Sequence, residues 1–108
     1  MSTIEDGEKL GEKLAIANIS TSQIRKFLSA VNMINNKIQA SNDNFDIKEV
    51  SYLRVKLAYQ AGRERNFKPF YPELNQEIVK IKTVEDFKEF AQFIEAVVAY
   101  HKFYGGKD

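Results

Sequence analysis

The sequence predicts an all-α protein, a compact bundle of four to five helices. Apolar residues recur three and four positions apart over long stretches, as they do on the buried face of a helix. Capping and staple patterns stand directly before those stretches. No strand-like alternation, internal repeat or low-complexity tract interrupts them.

The first segment, Ile4 to Ala17, carries Leu10 and Leu14 at helical spacing, but Gly7 and Gly11 interrupt the pattern. Residues 1–18 therefore read as a poorly specified N-terminal segment with helical leaning, and residues 19–108 as a single helical domain. Ser20 and Gln23 have capping-box spacing, with Ile19 and Ile24 as the flanking staple. The helix they open presents Ile24, Phe27, Leu28, Val31, Ile34 and Ile38 on one face and runs from Thr21 to about Ala40. Ser41 to Asn44 is a polar loop of turn formers. Asp46 with Glu49 is a second box-like cap and Phe45 with Val50 a second staple, for a helix continuing to about Arg65. Pro69 ends that region, and Pro72 suits the first turn of a shorter helix whose Leu74, Ile78 and Ile81 share a face. Thr83 and Asp86 cap a last long helix, which stops near Tyr104 at Gly105 and Gly106.

With 108 residues the chain has room for one core, and its 44% hydrophobic and 29% charged content is that of a folded globular domain. The absence of cysteine removes thiolate chemistry and cysteine-based zinc sites, and one histidine leaves little for an imidazole metal cluster. No cofactor is expected. The sequence carries no apolar run of membrane-spanning length and no signal-peptide pattern, so a cytoplasmic protein without membrane association is expected. The net charge of +1 conceals an uneven distribution. Residues 21–82 hold eleven Lys or Arg against six Asp or Glu, whereas both flanking regions are net acidic. A local positive field of that kind favours an acidic partner.

Two candidate contact surfaces emerge. At about 100° per residue, Val50, Leu53, Leu57 and Ala61 form the inner face of the Asp46-capped helix. Tyr52, Lys56, Tyr59 and Arg63 form a stripe on the opposite face. Cations interleaved with tyrosines suit phosphate neutralisation and base stacking, although a solvated face with one tucked tyrosine would have the same sequence. Arg54 falls near the edge of the apolar face. Arg25 and Lys26 follow the Ser20 cap within the second turn, near the helix end that attracts anions; two solvated surface charges are the alternative. In the last helix, Phe90, Phe93, Val97, Tyr100 and Tyr104 widen the apolar face to about half the circumference. Either a second protein chain covers this arc, or the helix has neighbours on two sides within the bundle.

Catalytic signatures are missing. His101 has no sequence-adjacent acid, base or nucleophile and reads as a satisfied, partly buried histidine. Ile94, Glu95 and Ala96 stand near where one class of helical ribonucleases places an arginine before its histidine. The acidic run Asp43 to Asp46 lacks calcium-loop spacing, and no glycine-rich phosphate loop occurs.

Three segments together resemble the small helical subunit of the type III-A CRISPR effector, the Csm complex. They are Ile19 to Phe27 (ISTSQIRKF), Tyr52 to Arg63 (YLRVKLAYQAGR) and Glu95 to Gly105 (EAVVAYHKFYG), and their order and separation extend the resemblance over Ile19 to Gly106. Val55 departs from the family pattern, which has proline there. The resemblance implies a non-catalytic RNA-associated subunit of antiviral defence. Its copies stack beside the backbone subunits, along the guide CRISPR RNA and its paired target RNA. Its implied partners are those RNAs, other Csm subunits and further copies of itself. Carried over by position, it implies RNA contact at Arg25, Lys26, Arg54, Lys56 and Arg63, to which the stripe adds Tyr59; the protein-contact candidates are Phe93, Tyr100 and Tyr104. The competing reading is a helical protein–protein adaptor without direct RNA contact.

Overall fold

The computed structural model describes residues 4–41 and 44–107. The chain order is α1 (Ile4–Ile16), α2 (Thr21–Ala40), α3 (Ile47–Arg63), a short 3₁₀ turn (Lys68–Phe70), α4 (Tyr71–Val79) and α5 (Val84–Phe103). This is the expected all-α bundle, with no strand among the described residues. Asn42 and Asp43, part of the expected polar loop and acidic run, lie outside the described residues.

Local chemistry sets most of the helix ends. The Ser20 hydroxyl accepts from the Gln23 backbone N–H at 3.1 Å, and the Gln23 side-chain Oε1 accepts from the Ser20 N–H at 2.9 Å. Thr83 and Asp86 repeat this reciprocal cap at the start of α5. At α3 the pattern differs from the expected box: Asp46 accepts from the Lys48 N–H at 2.9 Å, while Glu49 turns away to an ion pair with Lys37 on α2. Helix α3 also stops at Arg63, two residues before the sequence-based limit, with Glu64 as its C-cap. Helices α1 and α5 both end in a Schellman arrangement, with a left-handed residue just past the cap. After α1 that residue is Asn18 (φ 62°), with the Ile19 N–H bonded to the Leu14 carbonyl. After α5 it is Gly105 (φ 90°), with the Gly106 N–H bonded to the His101 carbonyl at 2.8 Å.

Gly7 and Gly11 do not interrupt α1; they are buried and form its contact with α5. A Cβ on Gly11 would come within 2.7 Å of the Val97 carbonyl oxygen and 2.8 Å of the His101 nitrogen, and one on Gly7 within 2.7 Å of Ala96 Cβ. The two helices therefore approach almost backbone to backbone. Helix α2 packs on another part of α5, α3 packs on α2, and α4 packs on α3. The core gathers Leu10 and Leu14 of α1, Ile24 and Phe27 of α2, Leu53 and Leu57 of α3, Leu74 and Ile78 of α4, and Phe87, Phe90 and Ile94 of α5. Phe27 meets Phe90 edge-to-face at 6.3 Å, a favoured aromatic geometry.

His101, which is fully buried rather than partly so, ties the end of α5 to the segment between α1 and α2. Its Nε2 lies 2.6 Å from the Ile19 carbonyl oxygen; a carbonyl can only accept, so this nitrogen carries the proton. Nδ1 has no hydrogen-bond partner among the described residues. Gly106 sits against the imidazole so closely that any side chain there would collide with the ring. Lys107 then pairs with the start of α2, its carbonyl accepting from the Thr21 N–H at 2.6 Å.

The glycine contacts separate two substitutions that look alike in sequence. Gly11→Ala is expected to destabilise the fold by roughly 1–3 kcal/mol, because the methyl meets backbone that cannot yield. Gly62→Ala, with open space around the new Cβ, is expected to stabilise α3 by roughly 0.5–1 kcal/mol. Urea unfolding of both variants checks the pair; equal effects would show that α1 does not pack on α5 at this distance.

Candidate nucleic-acid interface

The stripe expected on α3 is present as an organised surface. Tyr52 and Tyr59 are 60% and 66% exposed, and each carries a cation one helical turn onward. Lys56 Nζ lies 5.9 Å from the centre of the Tyr52 ring, and the Arg63 guanidinium carbon 5.6 Å from that of Tyr59. Both distances fall within cation–π range. Arg63 Nη1 also donates to the Tyr59 hydroxyl at 3.2 Å. The helix supplies this order: residues three and four apart share a face, and the opposite face, through Leu53, Leu57 and Ala61, is buried.

A polar network joins the C-terminal end of α3 to the N-terminal end of α2. Gln60 Nε2 donates to the Gln23 carbonyl at 2.7 Å, and Gln23 Nε2 donates to Glu64 at 3.2 Å and to Asn66 at 2.8 Å. Lys26 closes it with an ion pair to Glu64 at 2.7 Å. Burial raises the pKa of the Glu64 carboxyl, but the bonds from Lys26, Gln60 and Gln23 outweigh it and hold the group below its ordinary value. Sequence reading placed Gln23 as a cap and missed that its amide also reaches the far helix. Gln60, Glu64 and Asn66 carried no sequence signal, since only the fold brings them near α2.

The other basic positions spread around this surface. Arg25 is exposed on α2, about 100° around the helix from Lys26. Arg54 stands apart from the stripe: it lies two residues after Tyr52, about 200° around α3, and its Nε donates to Asn75 of α4 at 2.9 Å.

The second candidate surface contracts. Phe93 is 3% exposed, its backbone facing Gly7 of α1, so it belongs to the core and is withdrawn as a protein-contact residue. Phe90 and Val97 are buried as well, because α5 has α1 on one side and α2 on another. What remains is an aromatic end: Tyr100, which is half-buried, with Tyr104 and Phe103 exposed, the last at 74% and missed by sequence reading because it lies off the apolar arc. Phe103 and Tyr104 meet edge-to-face at 5.0 Å. The Tyr104 hydroxyl donates to Glu8 of α1 at 2.6 Å, and that bond, with the carboxylate charge, pushes its pKa up to about 12.

Among the described residues no group of three potential metal-ligating side chains converges, and no helix is long and apolar enough to cross a membrane. The fold and its exposed row define a class: a small all-α protein with cations and tyrosines aligned along one open helix face. The family described as Csm2 Type III-A matches this chain over residues 1–107. The chain is also 41% identical over 92 residues to the CRISPR system Cms protein Csm2 of Streptococcus thermophilus, covering 83% of this chain and 76% of that protein. It is 33% identical over 110 residues to the Csm2 protein of Enterococcus italicus, covering 94% and 79%. The chain belongs to the Csm2 type III-A family and is a subunit of a type III-A CRISPR complex.

The Glu64 cluster makes stability depend on pH in a defined direction. Its folded pKa is depressed below the ordinary 4.5, so its contribution is present above that value and is lost as pH falls through the folded pKa. Glu64→Gln is therefore expected to reduce the loss of stability between about pH 6 and about pH 3. At neutral pH, Lys26→Ala is expected to cost no more than about 1 kcal/mol, as for an exposed ion pair. Urea titrations across this pH range check both; an unchanged pH slope in Glu64→Gln would place the dependence elsewhere.

Proposed function

We propose that this chain is a non-catalytic subunit that lies along the guide RNA and its paired target RNA and contacts their sugar–phosphate backbones. The observation that carries the reading is the exposed row on α3, in which Lys56 and Arg63 are each stacked on a tyrosine. Lys56, Tyr59 and Arg63 are the principal contacts. Arg25 and Lys26 extend them onto α2, and Arg54 is secondary because it faces α4. A subunit that serves any guide cannot depend on base edges, and phosphate and sugar contacts carry no sequence information. The net positive middle of the chain supports the same reading. The non-catalytic assignment rests on the site chemistry: the one histidine is enclosed, with one ring nitrogen committed to a backbone carbonyl.

A second surface serves assembly. At the C-terminal end of α5, Phe103 and Tyr104 are exposed and Tyr100 is half-buried, and aromatic side chains are enriched at protein interfaces. Other Csm subunits or further copies of this chain are its partners in this reading.

Lys56→Ala and Arg63→Ala are each expected to lower the slope of log affinity against log salt by roughly 0.7–0.9, the value of one lost phosphate contact. Titration of both variants on two RNAs of unrelated sequence tests this. Unchanged slopes would remove the row, and a strong preference for one RNA would remove sequence-independent contact. Phe103→Ala with Tyr104→Ala is expected to reduce incorporation into the Csm complex while leaving those slopes as in the unaltered protein. Co-purification with tagged Csm subunits measures it, and undiminished incorporation would exclude this end as an assembly surface.

A further inference from the structure

Beside the α3 row runs a groove between α2 and α3, about 410 Å³ in volume. That size lies within the range of roughly 300–1,000 Å³ typical of small-ligand sites. Ala30 and Met33 of α2 and Leu53 of α3 give it an apolar lining, and the Tyr52 ring stands on the α3 side. Its polar groups are mostly cationic. Lys37, Lys48 and Lys56 line it; Lys37 and the lining carboxylate Glu49 pair at 3.1 Å and offset each other, so Lys48 and Lys56 supply the net positive charge.

Phosphate contact alone would need charge and no apolar surface. An apolar lining beneath a cationic rim fits a ligand that joins a flat ring to an anion. We propose that the groove receives one unstacked nucleobase of a single RNA strand, with the flanking phosphates on the rim lysines. This rests on the backbone-binding reading above and extends it to guide RNA that is not yet paired with a target. Tyr52 belongs to both features. It lies in the row with Lys56 over its ring, and it also lines the groove with 60% of its surface exposed, an aromatic side chain on which a base can stack irrespective of its identity. Met33 is 56% exposed and adds a polarisable sulfur of the kind that packs against ring edges. A base inside a continuous duplex is paired and stacked on its neighbours, so it cannot enter. The groove thereby responds to whether a nucleotide is unstacked, and not to which base it is.

The test compares a single-stranded RNA with an oligomer of equal length and phosphate number that carries stable abasic spacers, using the full chain. The base-bearing strand is expected to bind roughly five-fold or more tightly, the low end of one base–aromatic stack. Met33→Gln, which removes apolar lining at an exposed position without changing charge, and Ala30→Met, which fills the groove, are expected to erase that difference. Neither should alter affinity for the abasic strand, because every lysine and arginine is retained. If the unaltered protein binds both strands equally with a normal salt slope, the groove assignment fails and the backbone reading stands. Absence of RNA affinity altogether overturns both. In the assembled complex, protection of Met33 from oxidation that persists after ribonuclease treatment would assign the groove to a protein segment and overturn the proposal.

Discussion

The close approach of α1 to α5 through Gly7 and Gly11 is the constraint on which the rest of the structure depends. Helix α5 carries more apolar surface than one neighbour can cover, and Phe90, Phe93, Ile94 and Val97 are all buried. Side chains on the facing turns of α1 would hold the helices apart, whereas two glycines one turn apart let α1 settle directly on the α5 backbone. Exposing Phe93 and Val97 instead would forfeit on the order of 1.5–3 kcal/mol for each side chain. The helix-propensity cost of a glycine in α1, about 1 kcal/mol relative to alanine, is smaller than that gain.

This packing fixes the rest in sequence. Where α5 ends, His101 bonds to the Ile19 carbonyl, Gly106 closes over its ring, and Lys107 pairs with Thr21, so the last residues locate the first turn of α2. The first two turns hold Gln23 and Lys26, which reach Gln60 of α3 and its C-cap Glu64. The exposed row on α3 thus adjoins a side-chain network on the start of α2, which is anchored in turn by His101, Gly106 and Lys107 at the end of α5. An element with its inner face buried and its ends tied loses little freedom when its outer face meets a ligand, and that reduces the ordering cost of binding.

How much of this could be read in the sequence follows from the range of each interaction. The reciprocal caps at Ser20/Gln23 and Thr83/Asp86 depend on residues three apart and were legible, as was the shared face of Tyr52, Lys56, Tyr59 and Arg63. The role of α1 was not. A glycine weakens an isolated helix, and the compensating contact with Val97 and His101 lies some ninety positions away in sequence. Phe93 is misplaced for the same reason: the breadth of the α5 arc is evident in the sequence, but α1, the element that covers much of it, is poorly specified there. Glu49 illustrates a smaller failure. Its spacing from Asp46 suits a capping box, yet the ion pair with Lys37 across the α2–α3 boundary takes the carboxylate. Arg54 lies within the same family segment as Lys56, but helical geometry sends it to the α4 side, where Asn75 receives it.

The dimensions of the row carry a further implication. From Tyr52 to Arg63 it spans about 16 Å along α3 at 1.5 Å per residue, well short of the 38 Å length of the molecule. A surface of that length meets few phosphates at once, and exposed cations in water gain little from each. Stacking on tyrosine does not raise the charge of Lys56 or Arg63; it restricts where the charge points. Such an arrangement suits repeated, weak, aligned contacts better than a single tight one. Linking several copies along one strand multiplies those contacts through effective concentration without any new chemistry in each copy. On the proposed RNA-binding reading, affinity within a multi-subunit Csm complex is a property of the assembly, and the single chain contributes alignment.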